Sequence, residues 1–302
     1  MLLEKSNLIY KWEKRVFPFL LLLPALILIL GIVAYPVFRA IWLSFHSYNP
    51  LKPFIVEYVG FDNYVKIFRD QLFITALKNS LIWTIGVVFF QFLGGLFGAL
   101  ILKQNFKGRS IVRGLSLIPW VTPSILIAIM WIWMLDGNYG IINDVLLKLG
   151  IISKYIPWLA QKNTALPSVM IADIWRGIPF FAVMLLAAMD AIPEELYEAA
   201  KIDGASSFKI FTNITWPLIL PTVLITTMLR IIWTANHMDL ILIMTDGGPG
   251  SSSLILPLMS YHIAYKQLNF GYASAIAILQ GIFLIVIISF YLRLLRKGGS
   301  IY

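Results

Sequence analysis

The sequence contains no cysteine and few charged residues, and both shortages limit what the protein can be. Without cysteine, the chain can form neither disulfides nor thiolate metal sites. Only 13% of its 302 residues are charged, about half the share found in soluble domains, whereas 59% are hydrophobic and the mean hydropathy is +0.82. These values predict an integral membrane protein that crosses the bilayer several times.

The sequence also lacks the short motifs that mark several classes of enzyme. No G-x-x-x-x-G-K-[ST] string is present, so no loop for nucleotide phosphates is recognisable. H-E-x-x-H, G-x-S-x-G and D-x-x-D-G are missing too, and the Asp-Gly pairs at Asp136, Asp203 and Asp246 are isolated and indicate turns. We therefore expect no catalytic residues, no metal site and no cofactor bound by this chain, and an integral-membrane enzyme is a less favoured alternative.

Six stretches with few or no charges predict six transmembrane helices. Each is long enough to cross about 30 Å of hydrocarbon, where a helix is the single-segment structure that satisfies its own backbone. The stretches lie at about 16–38, 79–102, 114–135, 165–189, 217–243 and 268–292. We expect one membrane domain over residues 16–295, with an N-terminal segment at 1–15 and a tail at 296–302.

The distribution of lysine and arginine predicts the orientation of the chain. With six spans, the side that holds both termini and the loop at 190–216 carries thirteen of these residues, and the other side carries seven. Positively charged residues concentrate in the cytoplasmic loops of membrane proteins. We therefore expect both termini and this loop to be cytoplasmic.

The loop at 190–216 is the most polar part of the chain. Its five acidic and two basic residues are too many for a segment embedded in lipid. Glu194–Lys201 is strong helix-forming sequence, and Gly204 allows a positive φ at a turn into a second short helix. The pattern is E-A-A at 198–200, Gly204 after three further residues, and I-x-x-P after nine more, ending at Pro217, where we expect the fifth span to begin.

This pattern resembles the cytoplasmic coupling loop of permease subunits in binding-protein-dependent ABC importers. Three further segments are similar to the maltose/glycerol-phosphate type of these permeases: Gly60-Phe-Asp-Asn-Tyr64, Thr245-Asp-Gly-Gly-Pro249 and Gly271-Tyr-Ala-Ser-Ala275. The resemblance covers about residues 16–295. It implies an all-α fold of six transmembrane helices with a cytoplasmic coupling helix between helices 4 and 5.

The resemblance also implies a set of partners and a class of cargo. The partners are a second, homologous permease subunit, two cytoplasmic ATPase subunits that bind ATP and magnesium, and an extracytoplasmic substrate-binding protein. The expected cargo is a sugar or oligosaccharide, moved by alternating access, and the Gly-Gly-Pro element favours this class. A polyol or glycerol phosphate is one alternative, and an ion-coupled secondary transporter is another. We expect no nucleic acid partner, because the net charge of +9 reflects the basic residues of inner loops.

Contact with the ATPases is assigned by the same resemblance to Glu198, Ala199, Ala200, Asp203 and Gly204. The two alanines keep the loop narrow enough to enter a groove. The alternative is an ordinary amphipathic loop whose glycine caps a helix.

Polar residues inside the predicted spans are candidates for substrate contact, because they are costly in lipid. In the fourth span, Asp173 and Arg176 are three residues apart and can pair. In the fifth span, polar and aromatic residues recur every three or four positions, a stripe that offers a sugar both ring faces and hydrogen bonds. Arg230 and Asp239 are interpreted as charges at a helix end or a gate. The residues and the resemblance together predict a substrate site of Arg176, Gly177, Phe180, Trp233, Thr234, Asn236 and His237.

Structural roles are the alternatives for these residues. Arg176 can serve only to neutralise Asp173 in an ion pair that fixes helix packing. Thr234 and Asn236 can form hydrogen bonds between helices, which is their common role in membranes. In a heterodimer, the second permease can hold the sugar site instead.

Overall fold

The described part of the chain is almost entirely helical. The computed structural model describes Phe17 and residues 19–298, so the segment expected at 1–15 and the last four residues of the tail lie outside it. Within these residues the strands are two of three residues each, paired antiparallel with His46 opposite Tyr58. The all-α prediction is therefore confirmed.

The elements follow one another in a simple order. They are α1 (Phe19–Ser44), β1 (His46–Tyr48), β2 (Val56–Tyr58), α2 (Asp62–Arg69), α3 (Gln71–Lys103), α4 (Arg109–Ser116), α5 (Ile118–Val121), α6 (Ser124–Met134), α7 (Ile141–Lys148), α8 (Ala165–Asp190), α9 (Glu194–Ile202), α10 (Ser207–Ile210), α11 (Trp216–Asn236), α12 (Asp239–Met244), α13 (Leu256–Tyr265) and α14 (Phe270–Gly298). π-Helical turns occur within α1, at Ile29–Ala34, and between α10 and α11, at Phe211–Thr215.

Five helical segments of the described chain are long and apolar enough to cross a membrane: α1, α3, α8, the run Ser207–Met244, and α14. A sixth crossing is made if α4 to α6 count as one span, but this span is bent by 93° between Val121 and Ser124. The predicted third span, 114–135, is therefore not one straight helix. Thr122 has an extended ψ of 131°, because the ring of Pro123 disfavours the helical conformation in the residue before it.

The run Ser207–Met244, which contains the predicted fifth span, is also irregular at both ends. Its helical run begins at Ser207, so Pro217 lies within it and does not mark its start. In a regular α-helix the Pro217 ring would clash with the carbonyl four residues earlier, and here that carbonyl belongs to the wider π-helical turn. At the other end the helix is interrupted at His237, which has an extended ψ of 106°.

The described residues divide into two compact units, and the larger one comprises Phe68–His262 and the described residues from Leu279 onwards. Its centre is the packing of α8 against α3. Small residues let these helices approach closely, since a Cβ on Gly95 would lie 2.2 Å from the Cβ of Phe181. Trp83 and Phe181 are fully buried at the centre of this unit. The polar residues of α8 are therefore held in a closely packed setting.

The smaller unit joins the described residues up to Ile67 with Ile263–Ile278. The side-chain amide of Asn63 donates to the last carbonyl of α1, at 2.9 Å, and to that of His46, at 3.1 Å. A Cβ on Gly271 would lie 1.9 Å from the His46 carbonyl oxygen, so only glycine fits there. Asn63 and Gly271 belong to two of the motifs that carry the family resemblance. Their contacts with the chain at Ser44 and His46 explain why these residue types occur there.

The third motif, Thr245–Pro249, forms a turn between α12 and α13. Asp246 and Gly247 have positive φ angles of 50° and 84°. The chain after the turn is held by Asn79 of α3, whose amide donates to the Leu254 carbonyl at 3.0 Å and to two further carbonyls beside it. This motif fixes where α13 begins.

The segment between α6 and α8 is ordered by α7 and its side chains. Asn143 is fully buried, donates to the Ile156 carbonyl at 3.0 Å and accepts a hydrogen bond from the Trp158 indole at 2.9 Å. The Tyr155 hydroxyl donates to the Asp144 carboxylate, and this hydrogen bond to the negative group raises the pKa of Tyr155. Side-chain hydrogen bonds therefore close this segment onto itself.

Candidate functional site

A small polar cavity lies in the larger unit, between α8 and α11. Its volume is about 190 Å³, and its wall is formed by Trp120, Asp173, Arg176, Arg230, Trp233, Thr234 and His237. Apart from Trp120 on α5, all these residues come from α8, from α11, or from the break that ends α11. Four of the predicted substrate residues are thus brought together: Arg176, Trp233, Thr234 and His237.

One end of the cavity is formed by an ion pair and a histidine. Arg176 Nη1 lies 3.7 Å from Asp173 Oδ1 and donates to His237 Nε2 at 2.7 Å. Nε2 therefore accepts, which places the ring proton on Nδ1, 3.6 Å from the same Asp173 oxygen. The break in α11 turns His237 towards α8 and makes this arrangement possible.

Arg230 reaches the cavity from α11 and is held by Gln91 of α3. Arg230 is 9% exposed, and its Nε donates to Gln91 Oε1 at 2.9 Å. The Gln91 amide in turn donates to the Asp173 carbonyl at 2.7 Å. Arg230 lies within α11, so the interpretation as a charge at a helix end is wrong, whereas the alternative, a charge at a gate, stays a prediction. Gln91 was not predicted, although a glutamine within an apolar span is a signal that was available.

Gly177 makes room for this network and does not line the cavity. A Cβ at this position would lie 2.0 Å from Gln91 Nε2 and 2.6 Å from Arg230 Nη2. Any side chain here would displace both groups. Gly177 therefore acts on the cavity through its neighbours.

Aromatic rings form the apolar side of the cavity. Phe180 lies behind the wall, with its ring centroid 5.4 Å from that of Trp233 and 6.0 Å from that of Trp120. The Arg230 guanidinium lies 5.8 Å from the centroid of the same ring. Phe180 thus packs against the two indoles that face the cavity but does not line the cavity itself.

Two buried oxygens at the cavity have no hydrogen-bond partner among the described residues. They are Asp173 Oδ2 and Thr234 Oγ1, and both residues are 1% exposed. Buried polar atoms are nearly always hydrogen-bonded, to protein or to a bound molecule. The cavity can therefore accept a ligand that donates hydrogen bonds.

Asn236 is directed away from the cavity. Its amide donates to the Ile232 carbonyl at 2.8 Å, and its Oδ1 accepts from Gln280 of α14 at 3.0 Å. Gln280 also donates to the Ala235 carbonyl at 3.1 Å. The contacts of Asn236 are those of a residue that joins two helices.

The residues expected to contact ATPases lie on α9 and the turn after it. Glu198, Ala199, Asp203 and Gly204 are exposed, and Ala200 is half-buried. Gly204 has a φ of +70° and ends α9 in a Schellman motif, with hydrogen bonds from Ala205 N to the Ala200 carbonyl and from Gly204 N to that of Lys201. This geometry is compatible both with a coupling loop and with an ordinary capped helix.

The same surface exposes two large apolar side chains. Ile202, at the end of α9, is 86% exposed, and Phe208, in α10, is 76% exposed. They stand among the charged residues of the loop. Both side chains are available for contact with another protein or with lipid.

Comparison with known proteins identifies relatives along the whole chain. The chain is 34% identical over 291 residues to the trehalose/maltose transport system permease protein of Thermococcus litoralis, with 95% of each chain covered. It is 34% identical to the sulfoquinovosyl glycerol transport system permease protein of Agrobacterium fabrum, over 93% of this chain and 91% of that one.

Solved structures show the same fold. A bacterial ABC transporter involved in the import of the acidic polysaccharide alginate contains a chain that matches with a TM-score of 0.84 at 23% identity, covering 97% of this chain and all of that one. The family model "Binding-protein-dependent transport system inner membrane component" matches residues 91–298, which include α8, α9 and α11. The chain is a member of the binding-protein-dependent transport system inner membrane component family.

Proposed function

We propose that this protein is the permease subunit of an ATP-driven ABC importer and that it translocates a sugar or oligosaccharide. The observation that carries the proposal is the cavity between α8 and α11, where charged and hydroxyl groups face two indole rings. A sugar presents apolar C–H faces to such rings and hydroxyl donors to the free oxygens of Asp173 and Thr234.

The cavity wall carries more positive than negative formal charge. It contains the guanidiniums of Arg176 and Arg230 and one carboxylate, that of Asp173. Asp239 lies 3.7 Å from His237 but is not part of the wall, and its side chain is 56% exposed. Guanidiniums also bind phosphate, so glycerol phosphate, like a polyol, is kept as the alternative cargo.

The named relatives support a sugar as the cargo. Trehalose and maltose are sugars, and a permease protein of the diacetylchitobiose uptake system of Streptomyces coelicolor is 31% identical over 93% of this chain. At about 190 Å³, the cavity is below the range of roughly 300–1,000 Å³ that encloses drug-sized ligands. It therefore suits part of a sugar, with further room provided when the subunit changes conformation or meets its partner.

The proposed mechanism is alternating access driven from outside the chain. A substrate-binding protein delivers the sugar to the extracytoplasmic side of a pair of homologous permeases. Two cytoplasmic ATPases bind ATP and magnesium and receive α9, through Glu198, Ala199, Ala200, Asp203 and Gly204. Exposure of Ile202 and Phe208 beside these residues supports a protein contact there. In this proposal the subunit lies in the inner or plasma membrane of a prokaryotic cell with both termini in the cytoplasm, and the distribution of basic residues supports this orientation.

Reconstitution tests this proposal. The chain is inserted into liposomes together with the permease, ATPase and binding-protein subunits encoded by the neighbouring reading frames. Uptake of radiolabelled maltose, trehalose and glycerol 3-phosphate is then measured. We expect sugar uptake that requires ATP and the binding protein.

The matched control contains this chain alone with an imposed proton or sodium gradient. Uptake by the chain alone would instead establish an ion-coupled secondary transporter. Preferential uptake of glycerol 3-phosphate would refute a sugar as the cargo and favour the alternative.

A further inference from the structure

The last residue of α3, Lys103, contacts two other helices at once. Its ammonium donates to the Met189 carbonyl at 2.9 Å, lies 3.3 Å from Asp190 Oδ1 and lies 5.6 Å from the centroid of the Tyr197 ring. Met189 and Asp190 end α8, whereas Tyr197 belongs to α9. One cation therefore joins the ends of two long helices to the short helix that carries the E-A-A sequence.

A second cation strengthens the same junction. Arg113 of α4 donates to the Leu102 carbonyl at 3.1 Å and lies 3.4 Å from Asp190 Oδ2. The carbonyls of Leu102 and Met189 are at helix C-termini, where a positive charge is favourable. Asp190 thus forms ion pairs with both Lys103 and Arg113 and fixes their positions.

Tyr197 extends the junction to α11. Its hydroxyl lies 3.3 Å from Thr215 Oγ1, in the π-helical turn that leads into α11. The ring faces Lys103, and the hydroxyl faces Thr215. A displacement of α9 must therefore move or break contacts with α3, α8 and α11 together.

We propose that Lys103 is a positioning residue for coupling: it anchors α9 to the ends of α3 and α8, so that movement of α9 is passed to the helices that form the cavity. This inference rests on the proposed role of α9 in ATP-driven transport. The Lys103 and Asp190 side chains are 36% and 42% exposed, so their ion pair adds little to the stability of the fold. Loss of the contact should therefore affect coupling more than folding.

Substitution of Lys103 by methionine tests the proposal, because it keeps the length of the side chain and removes its charge. In the reconstituted complex, we expect the ratio of maltose imported to ATP hydrolysed to fall about fivefold or more, at the lower end of common coupling effects. The KM for maltose and the midpoint of thermal unfolding should stay close to those of the unmodified protein. Lys103→Arg keeps a cation and should restore the ratio.

Two further variants separate this role from a general effect of charge. Lys107→Met removes an exposed lysine from the same segment and should leave the ratio unchanged. Tyr197→Leu should lower the ratio, and combining it with Lys103→Met should add little, since both break one contact.

Hydrogen exchange provides a readout that needs no sugar. In the purified complex, the amides of α9 should exchange faster in Lys103→Met than in Lys107→Met. A ratio and an exchange rate that both equal those of the unmodified complex would overturn the proposal. If the unmodified complex imports no maltose, the proposed function is wrong for that sugar, and the exchange rates alone decide whether Lys103 anchors α9.

Discussion

Replacement of Gly177 by alanine tests whether the contacts between Gln91 and Arg230 hold the cavity together. The added methyl would lie 2.0 Å from Gln91 Nε2 and 2.6 Å from Arg230 Nη2, so both groups must move. Gln91 is fully buried and bonded on both sides, to Arg230 and to the Asp173 carbonyl. The substitution therefore breaks at least one hydrogen bond to a charged group.

The expected cost follows from three contributions. Loss of a hydrogen bond to a charged group costs about 1.5–3 kcal/mol. Forcing a methyl group into a packed site costs about 1–3 kcal/mol, although part of this relaxes as Gln91 moves. Alanine gains about 1 kcal/mol over glycine in helix propensity. We therefore expect Gly177→Ala to lower the free energy of unfolding by about 2–3 kcal/mol.

Unfolding of the purified chain in mixed micelles, followed by circular dichroism during titration with a denaturing detergent, measures this difference. Gly281→Ala in α14 is the matched control, because its Cβ would meet no atom within 4 Å. It should be neutral or slightly stabilising. The double variant Gln91→Ala/Gly177→Ala should lose less than the sum of its parts, since the clash is absent. Equal stability of Gly177→Ala and Gly281→Ala would refute the reasoning.

The remaining predictions concern other sites. Gly204→Asp should uncouple ATP hydrolysis from sugar uptake without preventing membrane insertion, because it adds a side chain and a negative charge at a turn with a φ of +70°, and normal uptake would contradict this. His237→Ala should weaken sugar binding, measured by titration calorimetry, whereas Asn236→Ala should leave binding intact and lower stability through its lost contact with Gln280. The raised pKa of Tyr155 means that the folded protein loses stability as the pH rises above about 10 and this hydroxyl ionises. Tyr155→Phe should make this loss smaller, as measured by the midpoint of thermal unfolding at a series of pH values.

The spans and the cavity differ in how far the sequence predicts them. Hydropathy locates the long helices because the bilayer imposes length and apolar composition directly on each segment. Arg176 and His237 were predicted as one site because each is a costly polar residue in or beside a span. The family resemblance adds which of the spans face each other.

The features that the sequence alone did not predict depend on how each helix is rotated about its axis and on where a helix is interrupted. The spacing argument treats the fifth span as regular, but the chain is extended at His237, so Asn236 contacts α14 and not the cavity. The role of Gln91 depends on which face of α3 meets α8, and the charge-free sequence around it carries no such information. The bend at Pro123 did have a local signal, since the residue before proline avoids helical angles.

The absence of a loop between α10 and α11 has a mechanical consequence. The chain is helical from Ser207 to Asn236, a length of about 45 Å at about 1.5 Å per residue. If this helical run pivots near Ser207 by about 10°, its far end moves by about 8 Å. This displacement exceeds the rise of one helical turn, about 5.4 Å. Asn236 lies next to the cavity residue His237. Under the proposed coupling role of α9, a small rotation near Ser207 would be amplified along this lever arm into a larger displacement of the end of α11 that borders the cavity.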